Sequence, residues 1–91
     1  MPAAATAKFP LIVTEIAGQP VAELAKKFGT PLFVYDAAIV AERVADLAVF
    51  DVVRYAQKAL SNLAILDVVR RAGACVDAVS AGEIQRALAA G

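Results

Sequence analysis

Residues 51–79, DVVRYAQKALSNLAILDVVRRAGACVDAV, decide the fold. The first eight, DVVRYAQK (51–58), read as a strand rich in β-branched and aromatic residues. Ser61 then reads as the N-cap of a helix whose apolar face is Leu63, Leu66 and Val69, ending at Gly73. CVDAV (75–79) is the next strand. Beyond it, Ser80-Ala81-Gly82-Glu83 has the S-x-x-E pattern of a capping box, opening a helix to Ala90 with Gly91 at its C′ position. Strand, helix, strand, helix makes two consecutive β/α units. Such crossovers join parallel neighbours. Parallel sheets are covered on both faces, which accounts for strands this apolar.

Upstream, GQPVAELAKKFGTP (18–31) carries helix punctuation at both ends. Pro20 suits the first helical position, where a missing N–H costs nothing. Val21, Leu24, Ala25 and Phe28 recur at helical spacing, Gly29 fits the C′ position, and Pro31 stops the helix. LFVY (32–35) reads as a short strand, and Asp36 as the N-cap of a helix over 37–49 with Ile39, Val40, Val44 and Leu47 on one stripe. Residues 1–17 read as an N-terminal tail. Two parallel strands and their helices cannot cover both faces of a sheet. The expected fold class is therefore α/β, with the chain the N-terminal part of a larger protein such as a (β/α)8 barrel of roughly 250 residues.

Composition narrows the function classes. Nine basic and nine acidic residues cancel among 91, so no long-range field draws the chain toward polyanions or anionic membranes. No apolar run approaches the ~18 residues needed to span a bilayer, and the N-terminus is too weakly patterned for a secretory signal. The single cysteine, Cys75, excludes an internal disulfide, and the absence of histidine removes His-based triads and the commonest zinc ligand. These features fit a chain of the cytoplasm, with no nucleic-acid, membrane or metal partner.

Chemistry concentrates at the strand ends. Along 52–58, Val52, Arg54, Ala56 and Lys58 share one face, and Val53, Tyr55 and Gln57 the other. In β/α barrels and doubly wound sheets, the C-terminal strand ends carry the active site. Lys58 lies at such an end, and Asp77 near the next, so an ammonium and a carboxylate are expected within reach of one another. A desolvated lysine in such a cleft can serve as a Schiff-base nucleophile.

These residues resemble a known family. YAQKALSNLAILDVVRRAG looks like the lysine signature of the pyridoxal-phosphate enzymes of the alanine-racemase-like fold, and specifically of their decarboxylase branch. GACVDAVSAGEIQRALAAG resembles the second block of that branch, and FGTPLFVYDAAIV its N-terminal strand and helix. Three blocks in order, over about residues 20–91, make the resemblance specific. It implies that residues 37–91 begin the (β/α)8 barrel and that residues 18–36 contribute to a second β-domain. It also implies that Lys58 is the catalytic lysine and covalent anchor of pyridoxal 5′-phosphate, that Ala56 leaves room for the cofactor ring, and that Asp77 is a supporting carboxylate. The blocks are most similar to members that decarboxylate meso-2,6-diaminopimelate to L-lysine, acting as homodimers on a small amino acid. Many relatives have Asn two residues after the lysine, where this chain has Leu60. The residue stacking on the cofactor, the glycine-rich phosphate site and the acid facing the pyridine nitrogen lie later in such chains. The 91 residues alone are therefore expected to be inactive.

Other readings compete. Relatives acting on ornithine, arginine or carboxynorspermidine share the lysine block, and a non-catalytic cofactor-binding or truncated chain would also keep it. Asp77 reads equally as a turn or cap partner of the last helix. Ser80 and Glu83 are most simply a capping box. Arg54 points toward a barrel floor, Cys75 reads as an inert buried thiol, and Lys26-Lys27 and Arg70-Arg71 as solvated helix faces.

Overall fold

A computed structural model describes residues 12–91, and the chain divides into two compact units between Tyr35 and Asp36. Most of the tail expected over residues 1–17 lies outside the described residues.

The first unit opens with a minimal antiparallel pair, β1 (Glu15–Ile16) and β2 (Gln19–Pro20), joined through Ala17 and Gly18. Both turn residues have positive φ, 52° and 77°. That conformation suits Gly18 and is uncommon for an alanine. The pair folds residues 15–17 into structure where a tail is expected. Helix α1 (Val21–Phe28) follows directly, with Pro20 at its N-cap, one position earlier than its sequence suggests. Gly29, at φ 79°, closes the helix by donating its N–H to Ala25 O at 2.8 Å. Leu24 and Ala25 are half-buried, whereas Phe28 is exposed and lies beside the Lys27 ammonium, 5.2 Å from the ring centroid. The strand expected over residues 32–35 does not form. Its β-propensity is high, but a strand needs a partner ladder, and none pairs with it among the described residues.

The second unit contains the β/α pattern. Asp36 caps helix α2 (Ala37–Ala45), its Oδ1 accepting from Ala38 N–H at 2.9 Å. The helix ends at Ala45, and residues 46–50 are turns where four further helical residues are expected. Strand β3 (Arg54–Ala56) pairs in parallel with β4 (Cys75–Asp77), and helix α3 (Leu63–Arg71) joins them. Arg54 lies opposite Cys75, Tyr55 opposite Val76, and Ala56 opposite Asp77. Helix α4 (Ala81–Ala90) completes the second β/α unit. The hydrogen-bonded strands are shorter than the expected 51–58 and 75–79, because among the described residues each has a partner on one side only and ladder pairing ends where that partner does.

The core is small and centred on α3. Leu66 and Val69 are 2% and 1% exposed, and Ala74 in the loop before β4 is also buried. α3 packs against both α2 and α4 and reaches β4. Enclosing Leu66 and Val69 contributes about 2 kcal/mol each. Asn62, rather than Ser61, caps α3: its Oδ1 accepts from Ala64 N–H at 2.9 Å and Ile65 N–H at 3.3 Å. At the far end, Gly73 (φ 99°) donates its N–H to Arg70 O and turns the chain toward β4.

Candidate functional site

Exposure alternates along the approach to the lysine. Val53 and Tyr55 are half-buried and Gln57 is fully buried, while Val52, Arg54, Ala56 and Lys58 are exposed. The two faces read from the sequence are therefore present. The ladder, however, ends at Ala56, and Lys58 sits in a one-turn 3-10 helix, Gln57–Ala59, rather than in a strand. The correction is physical: β4 stops pairing at Asp77, opposite Ala56, so the chain beyond is free to coil.

That turn is braced on both sides of Lys58. Leu60 N–H and the Ser61 hydroxyl both donate to Gln57 O, each at 3.1 Å. The Tyr55 hydroxyl donates to Leu60 O at 2.8 Å. The Gln57 amide donates through Nε2 to Glu83 O in α4, also at 2.8 Å, and Arg86 Nη1 reaches Ser61 O at 3.5 Å. The backbone around the lysine is thus held by five hydrogen bonds, two of them to the next β/α unit. The Lys58 side chain itself is exposed and makes no hydrogen bond or ion pair among the described residues.

Asp77 ends β4 on the exposed side, beside Ala56 in register. The structure brings Ala56 and Asp77 together. It does not join Lys58 to Asp77 by an ion pair. Nor is Asp77 a cap. Ser80 caps α4, its Oγ accepting from Glu83 N–H at 3.1 Å, and Glu83 Oε1 accepts from Val79 N–H at 2.9 Å. The capping box is real, with its return bond displaced one residue upstream of the N-cap. Cys75 is a further correction: it is exposed, because it shares the open face with Arg54 and Asp77 instead of the face under the helices. Arg54 also stands exposed on that face, with no acidic partner among the described residues.

Gln57 is the residue whose importance the sequence reading passed over. The signal was present in the alternation, which put it on the Tyr55 face, where a polar side chain must find partners once helices cover it. Away from this turn, Asp67 on α3 pairs with Arg70 at 2.7 Å and Arg71 at 3.0 Å. The hydrogen bond from Arg70 is the larger cause, and with that from Arg71 it holds the Asp67 carboxyl below its usual range. These arginines are thereby engaged on their own helix. An apolar cleft of about 250 Å³, lined by Leu66, Ala74, Cys75, Val76, Ala87 and Leu88 among others, opens beside the start of β4. Cys75 is at the N-terminal end of the strand and Asp77 at the other, so this cleft is not the Lys58 end of the sheet.

Known proteins with this arrangement are similar over most of the chain. The family described as pyridoxal-dependent decarboxylase, pyridoxal binding domain, matches residues 37–91. A diaminopimelate decarboxylase from Escherichia coli K12 is 51% identical over 78 residues, which is 86% of this chain and 19% of that protein. One from Streptomyces coelicolor is 51% identical over 89 residues, covering 98% of this chain and 20% of the relative. A crystal structure of diaminopimelate decarboxylase superposes with a TM-score of 0.79 at 50% identity, over 86% of this chain and 19% of that one. The chain thus spans about a fifth of the length of the relatives it matches. The family match takes in α2, both β/α units and the braced turn that carries Lys58, and the chain belongs to the pyridoxal-dependent decarboxylase family, within its pyridoxal binding domain.

Proposed function

We propose that this chain supplies the lysine-bearing part of a pyridoxal-phosphate-dependent enzyme that decarboxylates meso-2,6-diaminopimelate to L-lysine. The observation that carries the proposal is Lys58 itself: a primary amine on a braced turn just past a parallel strand, exposed and unpaired among the described residues. Identity of 42–51% to diaminopimelate decarboxylases over most of the chain favours that substrate over ornithine, arginine or carboxynorspermidine.

The residues present fit the cofactor's aldehyde end. Lys58 Nζ is the group that would hold it covalently, and it must release its ammonium proton to do so. Ala56 carries only a methyl group on the open side of β3, which would leave space for a flat ring. Asp77, opposite Ala56, would place a carboxylate on the same side. When bound, pyridoxal phosphate supplies the electron sink that stabilises the carbanion left by loss of CO2. The residues of this chain contribute attachment, space and charge.

The parallel β3–α3–β4–α4 order supports reading residues 37–91 as the start of a (β/α)8 barrel, with residues 18–36 assigned to a second β-domain. The proposal extends to a cytoplasmic homodimer. Among the described residues no helix is long and apolar enough to cross a membrane.

The test uses the longest natural protein that carries this sequence, supplied with pyridoxal phosphate. CO2 and lysine should form from meso-diaminopimelate in preference to ornithine or arginine, and Lys58→Ala should abolish both. Undiminished turnover by Lys58→Ala, or a preference for ornithine, would sink the proposal.

A further inference from the structure

Gln57 is 0% exposed, the most enclosed polar side chain among the described residues, and it immediately precedes the lysine. Its Nε2 donates to Glu83 O at 2.8 Å. Only the nitrogen end of the amide can pair with a carbonyl, so the bond fixes which way the side chain lies. The other end, Oε1, is buried with no hydrogen-bond partner among the described residues. A leucine of similar size would fill this space without stranding a buried acceptor. The glutamine contributes one long-range hydrogen bond that a leucine could not, and that bond reaches across to the next β/α unit. The backbone carbonyl of the same residue accepts from both Leu60 N–H and the Ser61 hydroxyl. One residue thus ties the lysine turn inward to its own loop and outward to the first turn of α4.

Glu83 is also the N3 residue of the α4 cap, and its carboxylate holds Val79 N–H. The loop carrying Val79 begins directly after Asp77, so the Gln57–Glu83 bond links the Lys58 turn to the strand end that bears the carboxylate. We infer that Gln57 is a positioning residue: its amide fixes the Lys58 turn against the α4 N-terminus and so sets where Nζ stands relative to Asp77. The inference rests on the reading of Lys58 as the cofactor anchor.

The experiment measures how fast Lys58 captures pyridoxal phosphate, by borohydride trapping and peptide mass, across a pH series. It is made on the longest natural protein that carries this sequence and on its Gln57→Leu, Gln57→Met and Lys58→Ala variants. Thermal unfolding of each is followed in parallel. Gln57→Leu should still unfold cooperatively, with a loss of no more than a few degrees, yet capture at Lys58 in the folded protein should slow roughly tenfold, as expected when a reacting group loses its orientation. Its capture-versus-pH midpoint should also move. Gln57→Met, a flexible side chain of similar length, should behave alike and serves if the leucine variant does not fold. Parental capture rate and midpoint in a folded Gln57 variant, with Lys58→Ala unlabelled, would overturn the positioning role alone. Unchanged labelling of Lys58→Ala, or no labelling of the parent, would overturn the anchor reading and this inference with it.

Discussion

On one face of the β3–β4 pair, Tyr55 and Val76 lie half-buried, and Gln57 just beyond the strand is wholly enclosed. On the other face Arg54, Ala56, Cys75 and Asp77 are all exposed, with Lys58 beyond them. The two faces obey different chemistry. The covered face has exchanged water for protein contacts, so its side chains are apolar or hydrogen-bonded. The open face holds a guanidinium, a thiol, a carboxylate and an ammonium that make no hydrogen bond or ion pair with each other among the described residues. Such a set of unpaired functional groups at one sheet surface is costly to bury, and it makes chemical sense where a polar ligand and further protein would meet it. On the proposed reading, the covered face sets stability and the open face reactivity.

Substitutions on each face separate the two roles. The largest effect belongs to the open face. Lys58→Ala should eliminate borohydride-trappable pyridoxal phosphate while shifting unfolding by no more than about 0.5 kcal/mol, since its side chain is exposed and makes no hydrogen bond or ion pair among the described residues. Residual trapping at the parental level would break the division. Under the covered face, Leu66→Ala should cost roughly 2–5 kcal/mol in denaturant unfolding and leave the lysine's intrinsic reactivity in the folded fraction intact. A cost below about 1 kcal/mol would mean that α3 is not the centre of the core. Ser80→Ala removes the acceptor for Glu83 N–H and should cost about 1 kcal/mol. The smallest effect lies on the solvent side of α3. The Asp67 carboxyl is held below its usual value by Arg70 and then Arg71, so its stabilising contribution is complete above the usual carboxylate range. That contribution fades as pH falls through the lowered value. Asp67→Asn should flatten this part of the stability–pH curve, and an unchanged acid limb would show that the pairs are too well screened to matter.

Local chemistry was the legible part of this sequence. Asp36, Ser80, Glu83, Gly29 and Gly73 mark helix ends because a cap or a positive φ depends on a few neighbouring atoms. The βα order and the parallel pairing followed from the alternation of apolar strand and helix patterns. Asn62 displaced Ser61 as the α3 cap because both residues can cap, and the Ser61 hydroxyl is spent on Gln57 O instead. Residues 32–35 show the limit of propensity: aromatic and β-branched side chains favour extended backbone but do not supply a neighbouring strand. The lysine's face was legible from period-two alternation, whereas the 3-10 turn that carries it depends on where β4 ceases to pair. The covered side of Gln57 was legible from the same alternation, whereas its partner, a carbonyl 26 residues away, was not.

The central claim is that Lys58 is the cofactor's attachment point, and peptide mapping tests it directly. The longest natural protein that carries this sequence is mixed with pyridoxal phosphate, reduced with borohydride and digested. The account predicts one dominant pyridoxyl adduct, on the peptide containing Lys58. A dominant adduct on Lys26 or Lys27, exposed on α1, or equal labelling of all the lysines, would contradict it.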